Sequence, residues 1–93
     1  MIRDYSKTRV KWTRHAFAEA TEDNFKTNEL EGSFLRVVEF PELNGKKRRG
    51  IVRLGSRYCT LIYVLTGQGI VVITCWESNP TDISEYNNVV KSR

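Results

Sequence analysis

The sequence holds one histidine, one methionine, two prolines and two cysteines in 93 residues, and each scarcity closes off a class of protein. A single His and the lack of a Cys-x-x-Cys pair leave no recognisable zinc-ligand spacing, so no metal is expected. No stretch approaches the ~18–20 apolar residues of a membrane span. Met1–Arg14 is polar and basic with no apolar signal core, so no membrane association and a cytoplasmic location are expected. Also missing are a Walker loop, a Gly-x-Gly-x-x-Gly turn, a Ser-His-Asp spacing and paired carboxylates, and with them any sign of a cofactor.

Cys59 and Cys75 lie in apolar, β-like runs, where a free Cys behaves as a small hydrophobe. Their relation hangs on the connection between the two runs. A two-residue turn at Gly67-Gln68 pairs Cys59 with Trp76 and points the sulfurs to opposite faces, whereas a three-residue turn sets the cysteines opposite each other. Only the second register permits a disulfide.

What remains is the composition of a folded domain: 40% hydrophobic and 28% charged residues, with two Trp, four Tyr and four Phe. Residues 1–93 make one domain, since a chain of this size builds one core and not two. A core this small buries only ~60–70% of the extended chain's surface, which leaves room for a homodimer or another partner. Fifteen Lys and Arg against eleven Asp and Glu give +4, a mild basic bias. Its distribution is uneven, with Lys46-Lys47-Arg48-Arg49, Arg53 and Arg57 in the second half and Glu19, Glu22, Asp23, Glu29 and Glu31 in the first.

Thr8–Trp12 has the composition of a short strand, and Thr13 is a suitable N-cap for a helix through Arg14–Ala20. At 100° per residue Ala16, Phe17, Ala20 and Asn24 share one side and form the expected inner stripe. His15 falls on the other side with Glu19 and Glu22. A second short helix is expected over Thr27–Glu31, ended by a left-handed Gly32. Phe34–Phe40 reads as a strand stopped by Pro41, and the segment from Pro41 to Gly50, with its Asn44-Gly45 turn signal and basic block, as an exposed loop. Ile51–Leu54, Tyr58–Leu65 and Ile70–Trp76 follow as strands whose short Gly-bearing connections force antiparallel neighbours. Tyr58–Leu65 is apolar on both faces, so both need a cover. Asn79 as cap, Pro80 at the first helical position and Ile83, Tyr86 and Val90 at helical spacing predict a short C-terminal helix that supplies one of them, unless a partner does. The expected fold is α+β: an N-terminal helix, or two, packed on a three- to four-stranded antiparallel meander, with a short C-terminal helix.

His15 is the one side chain that exchanges a proton near neutrality. The first turn of a helix disfavours its cation, while Glu19 one turn later favours it. Lys46–Arg49, Arg53 and Arg57 suit phosphate contact, the latter two with the better-fixed geometry of strands; a solvated turn explains the block of four equally well. Packing explains Trp12, Tyr58, Tyr63, Thr74 and Trp76.

Thr13-x-His15-Ala16 opening a helix, a strand, a basic connection and Val72-Ile73-Thr74 closing a meander together resemble the DUF4258 family of small bacterial and archaeal proteins. The resemblance covers roughly Thr8 to Trp76 and rests on these short motifs. That family is similar to the RelE-type toxin and ribonuclease group, in which N-terminal helices pack against an antiparallel sheet. The resemblance implies metal-independent RNA cleavage or RNA binding, and an antitoxin-like protein partner. On it His15 matches the family's helix-start histidine and shuttles a proton at a ribose 2′-hydroxyl or a leaving oxygen. Arg53 and Arg57 stand where basic sheet residues bind the scissile phosphate, and Thr74 matches the threonine of the last strand and donates a hydrogen bond. In place of the arginine-containing turn common after the first helix stands the acidic Thr21-Glu22-Asp23-Asn24-Phe25. Such a site requires His15 within ~8–10 Å of Arg53 and Arg57, the reach of side chains that share one phosphate. The alternative is a non-catalytic module that binds nucleic acid or protein through the basic segment 46–49 and an apolar sheet face.

Overall fold

In the computed structural model, which describes residues 1–41 and 46–92, the chain runs β1 (Ile2–Arg3), β2 (Val10–Trp12), α1 (Arg14–Glu22) and α2 (Thr27–Ser33), then a 3₁₀ turn (Phe34–Arg36). It continues through β3 (Val37–Pro41), β4 (Lys47–Leu54), β5 (Arg57–Thr66), β6 (Gly69–Glu77) and α3 (Pro80–Lys91). The six strands form one sheet in the order β1-β3-β4-β5-β6-β2.

This corrects the expectation of a three- to four-stranded meander under an N-terminal helix: the sheet is six-stranded and mixed, with three α-helices. The difference lies at the two edges. Ile2 and Arg3 extend the sheet antiparallel to β3, and Val10–Trp12 runs parallel to β6, with Val10 opposite Ile70 and Trp12 opposite Val72. Edge strands of two or three residues show too few alternations to be read as pairing strands, and a parallel contact between segments so far apart in sequence has no local turn to announce it.

The basic block also departs from expectation, because Lys47-Arg48-Arg49 opens strand β4 and pairs with β5, Lys47 opposite Val64 and Arg49 opposite Ile62. Pairing to β5, and for Arg48 and Arg49 to β3 as well, draws these cations into the ladder despite their charge. The Asn44-Gly45 turn lies outside the described residues. Phe34–Arg36 forms the 3₁₀ turn ahead of a shortened β3. Gly32 sits inside α2; the left-handed residue that ends a helix is instead Asn24, at φ 60°, just past α1.

Thr13 caps α1, its hydroxyl accepting from the Ala16 N–H at 3.1 Å and donating to the Ile73 carbonyl at 3.1 Å. Ala16 and Ala20, one turn apart, are the buried stripe, and Phe17 is 53% exposed rather than inward. Two alanines let the helix backbone lie directly on β6, where the Cys75 thiol reaches the Ala16 carbonyl at 3.6 Å, and that closeness leaves no room for a ring. Beneath α1 and α2 the core gathers Leu30, Phe34, Val52, Leu61, Tyr63 and Ile70.

The turn at Gly67-Gln68 has two residues, with Thr66 opposite Gly69, yet Cys59 faces Glu77 and not Trp76. A bulge between Ile62 and Tyr63 shifts the register, with Ile62 opposite Thr74 but Tyr63 opposite Val72. The extra residue, Ile73, turns Cys75 back to the face of Cys59, so both thiols are buried, free, and in one core.

The opposite face is covered by α3, whose Asn79–Asp82 capping box starts the helix. Asp82 is buried and accepts from Arg49 (3.1 Å), Thr60 (3.0 Å) and the Trp76 indole (3.0 Å). Tyr86 adds an edge-to-face contact on Tyr58 with ring centres 5.2 Å apart.

Candidate functional site

The start of α1 rests on the β6 bulge, and this junction brings three functional side chains into one chain of contacts. His15 Nε2 lies 3.2 Å from Glu19 Oε1, one helical turn away. The same oxygen accepts from the Thr74 hydroxyl and, at 3.3 Å, from the Cys75 backbone N–H. Glu19 is thereby fixed from the sheet, while the His15 side chain is 72% exposed. An imidazole presented to solvent and held from behind by an anchored carboxylate has the base-and-orienter geometry that proton transfer needs.

Of the four residues expected to act together, His15 and Thr74 meet through Glu19; the two arginines stand elsewhere, so the expected site in which His15, Arg53 and Arg57 share one phosphate is not formed. Arg57 lies over the Phe25 ring at 4.0 Å and donates to the carbonyls of Asp23 (2.6 Å) and Asn24 (3.1 Å) and to Glu77 (3.0 Å). It closes the carboxyl end of α1, where a cation meets the negative end of the helix dipole. The helix sets that end about 12 Å along its axis from His15. Arg53 occupies the other sheet face, its guanidinium 5.7 Å from the Tyr58 ring centre and its Nε donating to the Gly55 carbonyl at 2.7 Å. Register accounts for the separation: Arg53 pairs with Tyr58 and Leu54 with Arg57, so the two arginines alternate across the pleat.

The block 46–49 divides as well. Arg49 is held by Asp82 and by a two-pronged contact with Glu85, at 3.0 and 2.8 Å, and lies 4.5 Å from the centre of the Phe40 ring. That contact holds the Glu85 carboxyl below its usual range. Arg48 reaches the buried Glu39 at 3.6 Å. Lys46 and Lys47 are exposed and carry no ion pair among the described residues.

Glu39, absent from the sequence reading, is a second polar centre. It is 4% exposed and accepts from Tyr5 (2.6 Å) and Tyr63 (2.8 Å), with Arg3 at 3.4 Å. Burial, then the Glu39 carboxylate, push the Tyr5 hydroxyl up to about 12 and the Tyr63 hydroxyl further up. Arg3, Arg48 and the two tyrosines satisfy this carboxylate from within, which makes it a structural anchor. Among the described residues no three His, Cys, Asp or Glu side chains gather as metal ligands would.

Glu19 was findable from its spacing to His15, whereas its anchoring by Thr74, 55 residues on, was not. Comparison with protein-family models, with curated proteins and with solved structures finds no match.

Proposed function

We propose that this protein is an RNA-directed, ribonuclease-like domain in which His15 moves the proton at a ribose 2′-hydroxyl or a leaving oxygen and Glu19 orients it. The observation that carries this reading is the His15–Glu19–Thr74 chain, which places the two residues behind the DUF4258 resemblance on one carboxylate. Glu19 fixes the ring and stabilises the imidazolium formed when His15 accepts a proton. Thr74 and the Cys75 N–H hold the carboxylate in place. In this scheme Arg53 and Arg57 have structural duties, and phosphate contact falls to exposed cations that carry no ion pair among the described residues.

The reading is tested by incubating purified protein with mixed single-stranded RNA. Cleavage is expected to fall ~10²–10⁴-fold in His15→Ala, the usual contribution of a general base. A smaller loss is expected in Glu19→Gln, and none in Arg36→Ala. RNA left intact by the native protein, or cleavage unchanged in His15→Ala, rejects it.

The second reading is a non-catalytic nucleic-acid-binding module. It is favoured by Lys46 and Lys47, which are exposed and carry no ion pair among the described residues, and RNA bound but not cut would support it.

A further inference from the structure

Register sets one row of side chains across four strands on the face that α3 occupies. Lys47 of β4 pairs with Val64 of β5, Val64 with Val71 of β6, and Val71 with Lys11 of β2. Paired residues share a face, so a lysine stands at each end of a floor of two half-buried valines. With strands about 4.8 Å apart, the two lysines are about 14 Å apart across the sheet. At the adjoining β5–β6 turn, Lys7, Arg9 and Lys11 line one groove with Thr66–Gly69, and Lys46 lines another that shares Thr66. Among the described residues, no acidic side chain lines either groove.

These five cations, Lys7, Arg9, Lys11, Lys46 and Lys47, are exposed and have no ion pair within 4 Å among the described residues, although Asp4 stands near Lys7. Arg14, Lys26, Arg36 and Lys91 are likewise unpaired there but lie apart from this end, and Arg3, Arg48, Arg49 and Arg57 are neutralised within the fold. Positive charge left unneutralised at one end of the molecule, over a shallow apolar floor, is complementary to a polyanion. The floor is too small to seat the apolar core of a protein interface, and β2, at three residues, is too short an edge to capture a peptide strand. We infer that this end of the sheet is a track for the sugar–phosphate backbone of single-stranded RNA, with Lys47 and Lys11 gripping phosphates on either side of Val64 and Val71.

The inference rests on the RNA-directed reading above and extends it. α1 lies on the other sheet face, so RNA on the track reaches the His15 imidazole, at most about 14 Å of chain from Lys11, only by turning over the β2 edge. Because the floor holds aliphatic and not aromatic side chains, bases do not stack on it, and recognition is electrostatic and tolerant of sequence.

Fluorescence anisotropy with a labelled 20-mer of 2′-O-methyl uridine, which lacks the attacking hydroxyl, separates binding from cleavage. Binding is expected to weaken with salt at a log–log slope of up to about −3.5 for five phosphate contacts. Lys11→Glu/Lys47→Glu should lose more than ~10-fold in affinity and flatten the slope by about 1.4. Arg36→Glu, beside Gly55 at the far end of the sheet, should bind normally. Circular dichroism confirms that each variant is folded. No binding, an equal loss in Arg36→Glu, no loss in the double variant, or competition by polyglutamate as strong as by RNA overturns the inference. Normal binding to the track with natural RNA left uncut removes the catalytic reading alone.

Discussion

Gly50 shows how one missing side chain sets the packing around it. A Cβ there would meet Tyr63 Cε1 and Val37 Cγ2, each at 2.7 Å, so the absence of a side chain on β4 is what lets the Tyr63 ring lie flat enough to reach Glu39. Gly50→Ala is expected to cost ~1–3 kcal/mol through overpacking, measured by urea unfolding, and to disturb the Tyr63 ring environment in near-ultraviolet dichroism. Gly69 is constrained differently, by φ +132° and by the Arg9 carbonyl, which accepts from Ile70 N–H at 2.8 Å where β2 joins the sheet. Of such details the sequence displays only the glycine. Gly67 and Gly69 read correctly as belonging to a turn because turns are local, while Gly50 read as the end of a loop because its neighbours in space are residues 37 and 63.

At the scale of elements, α1 and α3 attach to the sheet by different means. α1 is held by close backbone approach through Ala16 and Ala20 and by Arg57 at its carboxyl end. α3 is held by charge, since Asp82 receives Arg49, Thr60 and Trp76 and also closes the capping box with Asn79. Asp82→Ala strips these partners and breaks the Arg49–Asp82 ion pair, at a cost of ~3–5 kcal/mol for a broken, largely buried pair. Backbone amides of α3 should then exchange with deuterium at least tenfold faster, while those of β5 change less; equal acceleration in both would mean that α3 and the sheet unfold as one unit. The start of α3 was legible, because Asn79-Pro80 is a local signal with a local cause. Its docking was not, because the partners of Asp82 lie on three separate strands.

For the molecule as a whole, the Glu39 centre ties the N-terminal strand to the middle of the sheet and makes stability sensitive to alkali. Tyr5 has its hydroxyl pushed from 10.0 up to about 12, so folding favours the neutral phenol. A group whose folded pKa is raised contributes fully below its unfolded value and loses that contribution as pH climbs toward the folded one. Melting temperature should therefore fall between pH 10 and about 12, with Tyr63, shifted in the same direction, extending the loss to higher pH. Tyr5→Phe should lower the melting temperature at pH 8 and make the fall above pH 10 shallower; an unchanged slope would show that Tyr5 titrates freely. Contact with Cys75, then burial, push the Cys59 thiol up, while contact with Cys59 holds the Cys75 thiol down; because both are buried, they should react with thiol reagents only on unfolding.

What the sequence by itself determined was local: the Thr13 and Asn79 caps, the helical runs that follow them, the apolar alternation of β5 and β6, and the outward position of His15. Each of these follows from residues within a few positions of one another. Tertiary structure alone decided the edge strands, the entry of Lys47–Arg49 into β4, the return of Cys75 to the core by one extra residue at Ile73, and the separation of Arg53 from Arg57 by the pleat. It also decided which cations are used up inside the fold and which remain for a ligand. An ion pair depends on distance in space, and in this sheet the residues that neutralise Arg49 and Arg57, and the threonine that anchors Glu19, all come from distant parts of the chain.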